Sequence, residues 1–125
     1  DDAAWLLKHL GAELPGIPLI MGGFSFGAAI AARLAEYVPC AGLVLAAPPV
    51  PRYGLDAISN VYAPVLLLQG DNDEVVDSDE VYAWFGRLSA PQKKLTRWEN
   101  GGHFFHGLLP EVKTEVENFL SGLAI

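Results

Sequence analysis

Three short apolar runs, "IPLIM" over residues 17–21, "GLVLAA" over 42–47 and "PVLLLQ" over 64–69, are each closed by glycine, proline or a cluster of acids. Runs of this length read as strands covered on both faces rather than as helices. Lys93 to Trp98 reads as a fourth strand. Helical patterns alternate with them. Ala28 to Ala35 is rich in strong helix formers and ends before Pro39, and Asp77 with Glu80 three residues on resembles a capping box for the stripe Val81, Trp84, Phe85 and Leu88. The last helix starts near Pro110 and lines up Val112, Val116, Phe119, Leu120 and Leu123; a first helix is expected over Asp1 to Leu10, stopped by Gly11. Between Arg52 and Ala63 the chain is irregular, with one helical turn expected near Leu55 to Asn60. The alternation predicts an α/β fold, a parallel sheet of about four strands flanked by helices, as a single domain over residues 1–125.

The first strand runs into "GGFSFGAAIAARLAEY", Gly22 to Tyr37. Gly22 and Gly27 have the separation of a Walker-type phosphate loop, but Ala28 and Ala29 stand where lysine and a hydroxyl residue belong. A dinucleotide-binding turn would need glycine at Phe24, whose side chain would hold a pyrophosphate off the backbone. Gly23-Phe24-Ser25-Phe26-Gly27 does spell G-x-S-x-G, a sharp strand-to-helix corner that holds a serine out as a nucleophile. Side chains two residues before and after the serine should collide at such a corner, which is the expected reason for Gly23 and Gly27. The alternative is a glycine-relieved turn carrying an incidental serine.

Composition bounds the rest. With 51% hydrophobic residues the 125-residue chain has the makeup of a small globular domain. A net charge of -7, with its eight Lys and Arg scattered, argues against a nucleic acid or an anionic membrane as partner. No apolar run approaches the roughly 20 residues of a membrane span. One cysteine, Cys40, excludes an internal disulfide and is expected in the core; no Cys or His spacing suggests a metal, and no organic cofactor is expected. A cytoplasmic location is the expectation. The start at Asp1, without methionine or a signal-like segment, is consistent with a processed or partial chain.

In parallel α/β sheets the reactive groups sit on loops at the carboxyl ends of strands. Here those loops carry Ser25 after the first strand, Asp71, Asp73, Glu74 and Asp77 after the third, and His103 and His106 after the fourth. Serine, acid, histidine is the chain order of the α/β-hydrolase triad. Asp73 lies far enough beyond the strand to curl toward the next loop, with Val75 and Val76 to anchor it by burial, so it is the expected acid. Asp71 and Glu74 read as solvated carboxylates and Asp77 as a helix cap. His103 follows the flexible pair Gly101-Gly102 and is the expected base; His106, beyond two phenylalanines, reads as a surface residue.

Taken in order, "GGFSFGAAIAARLA", "LVLAAPPV", "PVLLLQGDNDEVV" and "GGHFFHGLLPE" resemble small bacterial α/β-superfamily hydrolases of the dienelactone-hydrolase and esterase branches. The resemblance implies the C-terminal part of an α/β-hydrolase fold, with Ser25 as nucleophile, Asp73 as acid and His103 as base. It implies a carboxylesterase-type serine hydrolase, with the Phe26 N–H as one oxyanion donor and a second donor from a loop after an earlier strand. Members of the superfamily begin with about four more strands, whereas this sequence starts at the helix before the serine turn. Phe24, Phe26, Phe104 and Phe105 crowd the site, which favours small apolar esters over sugars or charged substrates, with Phe24, Phe104 and Phe105 as the substrate-facing residues; ordinary core packing is the alternative for these aromatics. The short segment between Pro48 and Ala63 leaves little room for a large lid. The rival expectation is a partial or degenerate hydrolase that binds or assembles without catalysis. With the earlier strand of the superfamily absent, Ile17 to Phe24 would be an apolar sheet edge, expected either to self-associate or to need the missing segment supplied as another part of the same protein.

Overall fold

Val65–Gly70, buried at every residue, is the strand around which the rest is laid. The computed structural model describes residues 20–50 and 52–123. In it the strands β1 (Ile20–Phe24), β2 (Gly42–Ala46), β3 (Val65–Gly70) and β4 (Lys93–Trp98) form one parallel sheet in the order β1-β2-β3-β4. Leu45 stands beside Leu67, and Leu67 beside Leu95. The helices are α1 (Phe26–Ala35), α2 (Ser78–Arg87) and α3 (Leu109–Ser121).

Alternation along β3 divides the core. Val65 and Leu67 face one side with Leu43 and Leu45, under the alanines of α1 and under Val81, Trp84 and Phe85 of α2. Leu66 and Leu68 face the other side with Ala47 and Phe105, covered by Val112, Val116 and Phe119 of α3. Successive crossovers of one hand put α1 and α2 on the same face, and α3, after the last strand, closes the opposite one. The alanines of α1 bury almost no side-chain bulk, so this helix lies close to the sheet and brings its first turn against β1.

The parallel α/β architecture is the expected one, with local differences. β1 stays extended through Gly22 and Gly23 as far as Phe24, because the corner is made at the single residue Ser25. Residues 17–19 and the helix expected over 1–10 lie outside the described residues. The expected turn near Leu55 is instead a 3-10 stretch over Arg52–Ala57, broken by positive φ at Tyr53 (60°) and Gly54 (73°). Asp77 caps α2, its Oδ1 accepting from the Asp79 N–H at 3.0 Å. Cys40 is half-buried against the first core, and burial pushes its thiol pKa up.

Candidate active site

Between β1 and α1 the chain turns on one residue. Ser25 has φ 54° and ψ −116°, a region that costs a non-glycine residue on the order of 1–3 kcal/mol. Its N–H donates to Ala46 O at 2.8 Å and its C=O accepts from the Ala28 N–H at 2.9 Å, so the strained residue is bonded on both sides. The hydroxyl does not cap the helix; Oγ lies 3.1 Å from His103 Nε2. A Cβ on Gly23 would stand 2.2 Å from the carbonyl of Gly27 and 2.6 Å from Ala28 N, so no side chain fits there. The collision expected at Gly27 does not exist: a Cβ at that position meets nothing within 4 Å among the described residues. The crowding is one-sided, because Gly23 faces the first turn of α1 while Gly27 faces outward.

The loops after β3 and β4 are stitched together. Asp71 N–H donates to Trp98 O at 2.9 Å and Asn72 N–H to Gly101 O at 3.0 Å. A Cβ on Gly70 would sit 2.1 Å from Gly101 O. Gly101, read in the sequence as a flexible approach, is therefore a point of close backbone contact. That contact brings Asp73 to His103. Asp73 Oδ1 accepts from the N–H groups of Val75 and Val76 at 2.8 and 2.7 Å, and Oδ2 accepts from Gln69 Nε2 at 3.1 Å and meets His103 Nδ1 at 2.8 Å. Val76 is buried as expected of an anchor, but Val75 is exposed and holds the loop through its N–H.

The Asp73 side chain is 0% exposed and that of His103 4%. Burial pushes the Asp73 carboxyl up, yet the bonds from His103, Val76, Val75 and Gln69 outweigh it and leave the pKa below the usual carboxylate value. An ionised Asp73 keeps the proton on His103 Nδ1, and Nε2 is then free to accept the Ser25 hydroxyl proton. The Phe26 N–H, at the start of α1, has no hydrogen-bond partner among the described residues.

Around this trio, Phe24 stands 5.1 Å from the His103 ring and 5.6 Å from Phe104, ring centroid to centroid. Phe24 is 40% and Phe104 65% exposed, so both offer a face to solvent. Phe105, expected beside them, is 3% exposed and packs edge-on against Trp98 in the core; it supports Phe24 from beneath. Phe26 is half-exposed and meets Tyr53 edge-on at 4.7 Å. Arg33 Nη1 donates to Tyr53 O at 3.0 Å, and Arg52 Nη2 to Val75 O at 3.0 Å, which ties the 3-10 stretch to α1 and to the acid loop.

One acid differs from its expected role, while Glu74 is exposed as expected. Asp71 is not simply solvated: it accepts from Tyr82 Oη and from Arg97 Nε (3.1 Å) and Nη2 (3.3 Å), with the guanidinium 4.1 Å over the Tyr82 ring. The Tyr82 bond first, then Arg97, hold its pKa down; burial and Asp71 push the Tyr82 phenol well up. Glu74 Oε2 faces the His103 N–H at 3.5 Å. His106 is exposed. Sequence reasoning missed Gln69 and Tyr53. For Gln69 a signal existed, an amide at the end of a wholly apolar buried strand; Tyr53 carried none. Among the described residues no group of His, Cys, Asp or Glu is placed to hold a metal ion, and no helix is long and apolar enough to cross a membrane.

A serine corner after β1, an acid loop after β3 and a histidine loop after β4 of one parallel sheet, all at the carboxyl ends of the strands, define the α/β-hydrolase fold. Solved proteins share it: an α/β serine hydrolase homologue from Coxiella burnetii is 32% identical with a TM-score of 0.80 over 95% of this chain. An α/β serine hydrolase without a lid from Xanthomonas campestris is 33% identical with a TM-score of 0.81 over 100% of it. Residues 12–117 match the dienelactone hydrolase family, and the chain belongs to that family. An uncharacterised protein of Rickettsia prowazekii is 35% identical over 106 residues, 78% of this chain. The chain spans 57% of each solved structure's length and 44% of the Rickettsia protein's.

Proposed function

We propose that this chain carries the machinery of a serine hydrolase acting on small apolar esters, with Ser25 as nucleophile, His103 as general base and Asp73 as its orienting acid. The observation that carries the reading is the unbroken line Ser25 Oγ, His103 Nε2, His103 Nδ1, Asp73 Oδ2, with gaps of 3.1 and 2.8 Å. His103 takes the hydroxyl proton as Oγ attacks the ester carbonyl. The tetrahedral intermediate collapses with loss of the alcohol, which receives that proton, and water repeats the sequence on the acyl-enzyme to release the acid. The Phe26 N–H and the positive end of α1 stabilise the oxyanion. The family's name supports an ester, since a lactone is an ester closed into a ring. Exposed Phe24 and Phe104 beside the imidazole favour an apolar acyl or alcohol group.

A fluorophosphonate probe tests this. It is expected to label the folded chain once, at Ser25, and to leave Ser25→Ala unlabelled. Folded protein that takes up no probe would sink the catalytic reading and favour a binding or assembly module.

For partners we propose a small-molecule ester, with neither nucleic acid nor membrane, and a second copy of the chain at the β1 edge. Among the described residues β1 is paired only with β2. A groove of about 500 Å³ lined by Ile20, Met21, Phe26, Ile30 and Leu34 runs beside it. A second copy brings the same edge and groove, so one two-fold contact covers both. Light scattering across a concentration series should show mass rising to that of a dimer or beyond; a monomer at every concentration would remove the proposal.

A further inference from the structure

We propose that Gln69 is a positioning residue that sets the basicity and aim of the Asp73–His103 pair; the role rests on the hydrolase reading given above. Gln69 closes the run of leucines in β3 and is 0% exposed. Its amide orientation is fixed by its surroundings: Nε2 donates both to Gly70 O at 2.9 Å and to Asp73 Oδ2 at 3.1 Å, and both partners are acceptors. Turning the amide over would set Oε1 against two oxygens. The residue therefore presents a donor, and it presents it to the same carboxylate oxygen that His103 Nδ1 meets at 2.8 Å.

Sharing that oxygen has two consequences. Oδ2 is held from two directions, by a strand residue on one side and the imidazole on the other, so the carboxylate cannot swing away from His103. A lone pair engaged by an amide is also less available to an imidazolium. Gln69 thus lowers the pull of Asp73 on a proton at His103 and keeps the imidazole ready to release it to the departing alcohol. An apolar side chain would suit the surrounding leucines better, and a buried amide with one end unbonded among the described residues carries a cost that packing does not explain.

Among the described residues the charged and titratable neighbours of the pair are few. They are Glu74, whose Oε2 faces the His103 N–H; Asp71, neutralised by Arg97 of β4 and bonded by Tyr82 of α2; and Arg52, bonded to Val75 O. Gln69→Met leaves all of these in place and nearly conserves volume.

The test follows the His103 ring by NMR across pH, in the full chain, for wild type and Gln69→Met. The ring's titration midpoint is expected to rise by roughly half a unit in the variant. The acid limb of kcat/KM for a short ester should shift upward by the same amount, and kcat should fall about tenfold with KM unchanged. If Gln69→Met does not fold, Gln69→Leu is read the same way: it too removes the donor at Oδ2 and should move the midpoint upward. A folded variant whose His103 midpoint stays at the wild-type value overturns the inference, whatever its activity. Wild-type protein that takes no fluorophosphonate would instead overturn the hydrolase reading, and the NMR midpoint would still decide the role of Gln69.

Discussion

Asp73→Asn is expected to cut ester turnover by about 10⁴-fold, far more than the loss of one hydrogen bond would. The reason lies in the count of donors. The carboxylate meets the N–H groups of Val75 and Val76 at one oxygen and those of Gln69 and His103 at the other, with no acceptor on either side. Asparagine must set its NH₂ against two donors in either orientation. Toward His103, it forces the imidazole into the tautomer with the proton on Nε2, which then faces Ser25 with a hydrogen where a lone pair is needed. Toward Val75 and Val76, it opens the loop. Turnover of a short ester within tenfold of wild type would refute this assignment of Asp73. The same carboxylate links stability to pH. Its folded pKa is depressed, so its contribution is complete above the unfolded value near 3.9 and is lost as pH falls through the folded value. Wild type should lose stability in that acid window, and Asp73→Asn should lose less there.

Gly23→Ala is expected to destabilise the chain by at least about 3 kcal/mol, while Gly27→Ala stays within about 1 kcal/mol of wild type or gains slightly. The two substitutions add the same methyl to glycines four residues apart in one pentapeptide. At Gly23 it would lie 2.2 Å from backbone atoms of Gly27, which no rotamer change can relieve. At Gly27 it meets nothing within 4 Å among the described residues and sits on the first turn of a helix, where alanine is the better residue. Urea midpoints with matched slopes measure both. Equal midpoints for the two variants would mean that β1 and α1 can separate without loss, and would undo the account of the corner.

These glycines also show where sequence reasoning stops. The G-x-S-x-G spelling locates a corner, because a turn between strand and helix is a local event written in neighbouring residues. Which glycine relieves it depends on the direction of two Cα–Cβ bonds, and spelling does not carry that. The strands β2, β3 and β4 were legible within a residue or two from apolar runs, and the α2 cap from Asp77, since periodicity and capping are short-range. That Ser25, Asp73 and His103 would face one end of the sheet followed from their places after three strands of a parallel sheet. What lay beyond reach was set by contacts distant in the chain. Asp71 meets Tyr82 and Arg97 across 11 and 26 residues, Phe105 drops into the core beside Trp98, and Gln69 finds its partner because the loop after β3 folds back over the strand's end.

The stitched loops divide the site into two unequal halves. Asp73 and His103 travel together, bound by Gly70 against Gly101 and by the ladder of β3 and β4 at the centre of the fold. Among the described residues Ser25 belongs to the periphery, joined to them through β2, with which β1 pairs over five residues. Opening β1 costs fewer bonds than opening β3. On warming, Ser25 should drift out of register while the Asp73–His103 pair is still intact, so loss of the activity proposed for it would precede unfolding, and such a molecule could recover by re-docking one strand and one helix rather than by refolding.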